Sequence, residues 1–206
     1  MAQGIRDVYS QYLNDTVPSV FDDIDEPKHY IQPSDITKLK SDKKLVLINF
    51  DPGTDGSGLR SKVWQDLCTK KTSFVTCFTK PSGVQINRIP EIYERNRQYP
   101  FWLSPRGNGL DCHRTWEALY LNRIPIVWNN SLVSLYENLP VLIINSHHEL
   151  NVSFLQTKLK EITSKKDYQY EKLRHAYWRR LILDKSRHRN RSSRDNQCWR
   201  ANHRFK

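Results

Sequence analysis

A chain of 206 residues is long enough to bury one sizeable core. Its longest apolar runs, Leu45 to Phe50 and Val141 to Ile144, are too short to cross a bilayer, and MAQGIRDVYS at the start lacks the apolar stretch of a signal peptide. The net charge of +11 is concentrated at one end: Lys185 to Lys206 hold eight Lys and Arg against Asp195 alone, a surplus of seven, so the other 184 residues carry only +4.

Residues 1–42 are acidic and interrupted by proline, around PSVFDDIDEPKHYIQPSD, with no sustained period. They read as an N-terminal arm or the remnant of a preceding domain. The body begins at LVLINF (Leu45 to Phe50), a continuous apolar run that predicts a strand buried on both faces and ends at the loop DPGTDGSG. A helix follows from Gly58 to Thr69, then a strand at Ser73 to Phe78, a short helix at Ile89 to Gln98 and a strand at Tyr99 to Ser104. Asp111 to Asn122 predicts a strong helix, Ile124 to Val127 a strand, SLVSLYENL a helical turn or short helix, and Val141 to Ile144 the last strand. Strand and helix alternating five times predict an α/β domain over 43–184, a doubly wound, Rossmann-like parallel sheet. Helical periodicity returns at Glu149 to Lys160 and Asp167 to Leu183 as a C-terminal extension, and 185–206 reads as a basic, disordered tail.

The four cysteines, Cys68, Cys77, Cys112 and Cys198, are too few and too irregularly spaced for a disulfide framework or a zinc knuckle, and are expected as small buried residues. Sequons at Asn14, Asn129, Asn151 and Asn190 do not settle location.

In doubly wound sheets ligands bind beyond the carboxyl ends of the strands. Three loops fall there: Asp51 to Gly58, Ser104 to Asp111 and Trp128 to Ser131. In the middle one Gly107 and Gly109 flank Asn108, so the backbone is free to take positive φ and amides can approach a bound group. Asp111 is placed to cap the following helix, whose first N–H groups and positive dipole end favour an anion, with phosphate the natural one. On that helix His113 and Glu117 share a face, with Arg114 beside both. A guanidinium holds a diphosphate by paired hydrogen bonds, and a carboxylate one turn deeper can accept both ribose hydroxyls. Trp116, Leu119 and Leu121 supply apolar packing, and Arg106 either adds charge beside the phosphates or stabilises the turn.

The segment SPRGNGLDCHRTWEALYLNRIPIV, followed by SLVSLYENLPVLII, resembles the C-terminal donor-binding half of exostosin-like glycosyltransferases, which have the two-domain GT-B fold. In that family a strand ends in a Pro-x-Gly-Asn-Gly loop, continues into a helix bearing His-Arg and then Glu, and reaches a strand introduced by Gly-x-Ile-Pro. LVLINF with Arg60 resembles the first strand and helix of that half and FVTC its second strand, so the likeness spans residues 43–150. Asn122-Arg123 stands where the family has Gly-Cys or Gly-Thr, a departure that bears on packing at the helix end.

The resemblance implies that Gly107, Asn108 and Gly109 approach the donor diphosphate, that Arg106, His113 and Arg114 lie near it, that Arg60 contributes from the first helix, and that Glu117 holds the ribose; Ser104 and Asp111, at the two ends of the loop, complete the expected donor-binding set. It implies transfer of a sugar from a nucleotide sugar, commonly UDP-linked, to a hydroxyl of a glycan acceptor. The candidates for a catalytic base are Asp51 and Asp55. No Asp-x-Asp triplet falls in the alternating body, and a donor site without metal or other cofactor is expected. The first 42 residues are too short for a second doubly wound sheet to bind the acceptor, which leaves three readings. These are a transferase or a fragment of one, a nucleotide-sugar-binding module without transfer, and a polyanion-binding protein acting through residues 185–206. The family works in the Golgi lumen behind an N-terminal anchor. Without signal or anchor in this sequence, location stays open between secretory pathway and cytoplasm.

Overall fold

The structure is a computed structural model that describes residues 44–78 and 89–192. The predicted N-terminal arm and the end of the basic tail lie outside them. Five parallel strands form one sheet: β1 (Val46–Ile48), β2 (Val75–Cys77), β3 (Phe101–Leu103), β4 (Ile124–Trp128) and β5 (Leu142–Ile144), in the order β2-β1-β3-β4-β5. The helices are α1 (Leu59–Trp64), continued by a π turn over Gln65–Thr69, α2 (Ile89–Asn96), α3 (His113–Tyr120), α4 (Val152–Ser164) and α5 (His175–Ser192). The chain is an α/β protein with a Rossmann-like doubly wound sheet and a helical C-terminal portion, as the alternation predicts.

Burial follows position in the sheet. The central strands β1 and β3 are buried at every residue, as continuous apolar runs require, whereas the edge strand β5 leaves Ile143 43% exposed. Side chains alternate across the sheet. Val46 and Ile48 pack on one face with Val63 and Leu67 from the α1 segment and Leu155 from α4. Leu47 and Trp102 pack on the other with Ala118 of α3, Leu121 and Tyr99.

Two observations overturn expectations. Cys68, in the π turn, and Cys77, in β2, form a disulfide that closes the α1-to-β2 connection, so these residues are a covalent staple and not inert apolar fillers. Cysteine spacing alone does not reveal this, because the return of the chain after α1 brings the two Cα atoms to 5.9 Å. In addition, α5 runs on to Ser192, so the first part of the predicted disordered tail is helical. Its early turns are seated by aromatic contacts: Trp178 packs edge-on to Trp116 of α3 and donates from Nε1 to the Lys172 carbonyl.

Asn122-Arg123 ends α3 by backbone geometry. Asn122 takes a left-handed conformation, φ 56°. The Asn122 amide then donates to the Leu119 carbonyl and the Arg123 amide to that of Ala118, the paired bonds of a Schellman ending. Asparagine is the side chain that best tolerates this region after glycine, so α3 stops where a glycine would have stopped it.

Candidate functional site

The strand order reverses between β1 and β3, and there the loops after both strands separate to leave a crevice. Two arginines fill it. Arg60, buried on the second residue of α1, donates from Nε to the Arg106 carbonyl at 2.8 Å and from its terminal nitrogens to the Pro105 carbonyl and the Thr54 hydroxyl. Arg114 enters from α3 and donates to both the side chain and the carbonyl of Asn49, at 2.6 and 3.2 Å. Both guanidinium groups sit near the Phe50 ring, at 5.4 and 5.9 Å from its centroid. Burial draws the Arg114 pKa down, while the nearby Cys112 and Glu117 work in the opposite direction. The two arginines therefore tie the β1 and β3 loops together through backbone carbonyls.

The glycine loop is shaped around this contact. A Cβ on Gly107 would lie 2.9 Å from an Arg60 terminal nitrogen, so Gly107 is there to admit the guanidinium. Neither Gly107 nor Gly109 has positive φ; among the described glycines only Gly58 does. The expectation of a left-handed Gly-Asn-Gly turn is thus corrected, and the physical reason is side-chain clearance in place of backbone hand. Asn108 and Gly109 are exposed on the loop.

The helix cap is also reassigned. The N-cap of α3 is Cys112, which makes no side-chain cap bond, and the helix starts at His113. Asp111 stands one residue earlier and accepts from the Cys112 amide, the Trp116 indole and the Tyr136 hydroxyl, at 2.9, 3.1 and 2.9 Å. It serves as a junction between the loop, α3 and the turn Val133–Tyr136. Burial, with this bond to the Asp111 carboxylate, raises the Tyr136 pKa well above the usual phenol range.

Next to the filled crevice, over the ends of β3 and β4, lies a cleft of about 250 Å³ lined by Ser104, Arg106, Thr115, Trp128, Asn130 and Tyr136 among others. The Ser104 and Thr115 hydroxyls share a buried hydrogen bond of 2.8 Å along its floor. Arg106 is the cation in its wall. The Arg106 Nε is buried without a hydrogen-bond acceptor, and the nearest carboxylate, Asp55 Oδ1, stands 3.7 Å away as an ion pair.

Of the residues expected at the site, Ser104 and Arg106 line this cleft; Arg60 and Gly107 lie behind it, and Asp111 borders it through Tyr136. Arg114 is turned towards Asn49, His113 is exposed at the helix start and Glu117 is half-buried further along. Asp51 caps the turn Pro52–Thr54 by accepting from the Gly53 amide. Asp55 holds the loop that leads into α1, accepting from the amides of Ser57 and Arg60 and from the Ser57 hydroxyl. Burial opposes ionisation of Asp55, but these bonds together outweigh it and hold the carboxyl below its ordinary range. Thr115, Trp128 and Tyr136 escaped the sequence reading as site residues; Trp128 begins a strand-end loop that the alternation does mark, whereas Tyr136 carries no local signal. The one Asp-x-Asp triplet of the chain, Asp23-Ile24-Asp25, lies outside the described residues.

Fold and site together define a Rossmann-like α/β protein with a polar, partly aromatic cleft at the carboxyl ends of its strands. Compared with known proteins, the chain matches no family model and no curated protein.

Proposed function

We propose that this domain binds the nucleotide-sugar donor of a glycosyltransferase of the exostosin-like kind, UDP-linked, for transfer of the sugar to a glycan hydroxyl. The observation that carries the reading is Arg106, a cation in the wall of a cleft at the strand carboxyl ends whose Nε has no hydrogen-bond acceptor and only a 3.7 Å ion pair with Asp55. The start of α3, with no side-chain cap, adds partial positive charge beside the same loop. An anionic diphosphate suits both. Arg60 and Arg114 contribute charge from behind, since their donors are already engaged by loop oxygens. The Trp128 and Tyr136 rings give a flat apolar wall of the type that holds a base or sugar. At about 250 Å³ the cleft accommodates part of such a donor, with the rest at its mouth, where a GT-B acceptor domain would stand. Stabilising the departing diphosphate is then the chemistry this half supplies.

Calorimetry with UDP-sugars and nucleoside diphosphates tests the proposal. Arg106→Ala is expected to weaken a measured affinity by about 10- to 100-fold, the value of one charge-assisted hydrogen bond. Absence of heat with every nucleotide, or an unchanged affinity in that variant, defeats the reading. The use of Asp51 and Asp55 as turn caps favours the second reading, a binding module without transfer. Release of free sugar or transfer to an acceptor would separate the two.

A further inference from the structure

A second cluster lies apart from the donor cleft, where the π turn after α1 meets the turn His147–Glu149 after β5. Asp66 comes from the first and His147 and His148 from the second, and their candidate ligand atoms all lie within 4.8 Å of one another. We propose that Asp66, His147 and His148 form a binding site for a divalent transition-metal ion, with Zn²⁺ the best match.

The donor set decides the class of ion. Two imidazoles and one carboxylate suit zinc and its neighbours, whereas magnesium and calcium prefer oxygen ligands throughout. Asp66 Oδ2 and His147 Nε2 are 2.9 Å apart. Ligands about 2.0–2.1 Å from a tetrahedral zinc stand roughly 3.3 Å from each other, so this pair needs to part by only a few tenths of an ångström. His147 is buried and His148 exposed, so rotation of the His148 side chain closes the third corner without disturbing the core. A solvent molecule would complete the four-coordinate shell.

Both arms are held in place before any metal arrives. Ser146 and Glu149 form a reciprocal capping box that fixes the turn bearing the two histidines. The Cys68–Cys77 disulfide anchors the π turn two residues beyond Asp66. Lys70 holds the other carboxylate oxygen, Oδ1, at 2.6 Å, which leaves Oδ2 turned towards His147. Such outer contacts orient ligands in metal sites. His147 also packs against Trp128, with centroids 6.5 Å apart, and Trp128 lines the donor cleft. The metal site thus braces one wall of that cleft, yet its existence does not depend on what the cleft binds.

The test is titration of the untagged full chain with Co²⁺ and Zn²⁺. The expected result is one tight Co²⁺ equivalent with a visible d–d absorption band, displaced by Zn²⁺, and a Tm that rises with Zn²⁺. His148→Ala changes an exposed residue and should fold unaltered by circular dichroism while losing the band and at least 10-fold in Zn²⁺ affinity; Asp66→Asn should do likewise. Absence of a tight equivalent overturns the proposal. So does binding that is equally strong in both variants, which would place the ion on other histidines of the chain.

Discussion

Gly107→Ala separates a glycine that makes room for a side chain from one that makes room for a ligand. The added Cβ would stand 2.9 Å from an Arg60 terminal nitrogen and 3.4 Å from its Cζ, so the guanidinium or the loop must retreat by about 0.5 Å to reach ordinary contact. Arg60 has little freedom to do so, because its Nε and a terminal nitrogen bond the carbonyls of Arg106 and Pro105, in the loop that carries Gly107. Losing one hydrogen bond from a charged donor costs about 1.5–3 kcal/mol. Reduced freedom of the unfolded chain returns about 0.4–1 kcal/mol of that. A net loss of about 1–2 kcal/mol is expected, or roughly 2–8 °C in Tm for a chain of this size. Gly109→Ala is the control: its Cβ meets only the Asp111 carbonyl at 3.7 Å, an ordinary contact, and Tm should hold or rise slightly. Thermal melts without ligand measure both. Equal Tm values for Gly107→Ala and wild type would refute the clearance argument.

Three further outcomes follow from the same geometry. At the left-handed Asn122, substitution by Ala should cost about 1 kcal/mol in urea unfolding, whereas Gly should match or exceed the wild type; equal losses from both would point to the Asn side chain in place of backbone hand. Breaking the Cys68–Cys77 disulfide by a double Ser replacement should lower stability by about 2.5–3 kcal/mol, from the entropy of a loop with sequence separation 9, and reducing agent should then have no added effect on the variant. The Asp55 carboxyl is held below its usual range in the fold, so its ionised form stabilises the native state above about pH 4 and that contribution fades as pH falls through the lower folded value. The stability gap between wild type and Asp55→Asn should accordingly shrink on acidification below pH 4, and a gap independent of pH would contradict the assignment.

Much of the fold is legible in local pattern. Runs such as LVLINF and FWL, without alternation, indicate strands covered on both faces, and alternation with helical periods indicates a parallel doubly wound sheet. Helix ends drift by a few residues, as at α3, where the carboxylate at Asp111 mimics a cap but is taken by Trp116 and Tyr136. The glycine loop was visible as a loop and its neighbours Ser104 and Arg106 as cleft residues.

Partner choice was not visible. Hydrophobic period and turn composition act over a few residues, so they determine which segments become strands and helices and at which end of the sheet a site must lie. Hydrogen bonds and ligand sets join residues far apart in sequence: Arg60 to the loop carbonyls 45 and 46 positions on, Arg114 to Asn49 at 65, Asp66 to His147 at 81. Only the packed sheet, by placing its loops side by side, decides that Arg60 and Arg114 bond oxygens of the facing loops, that the open cleft lies at the next pair of strands, and that an aspartate meets two histidines.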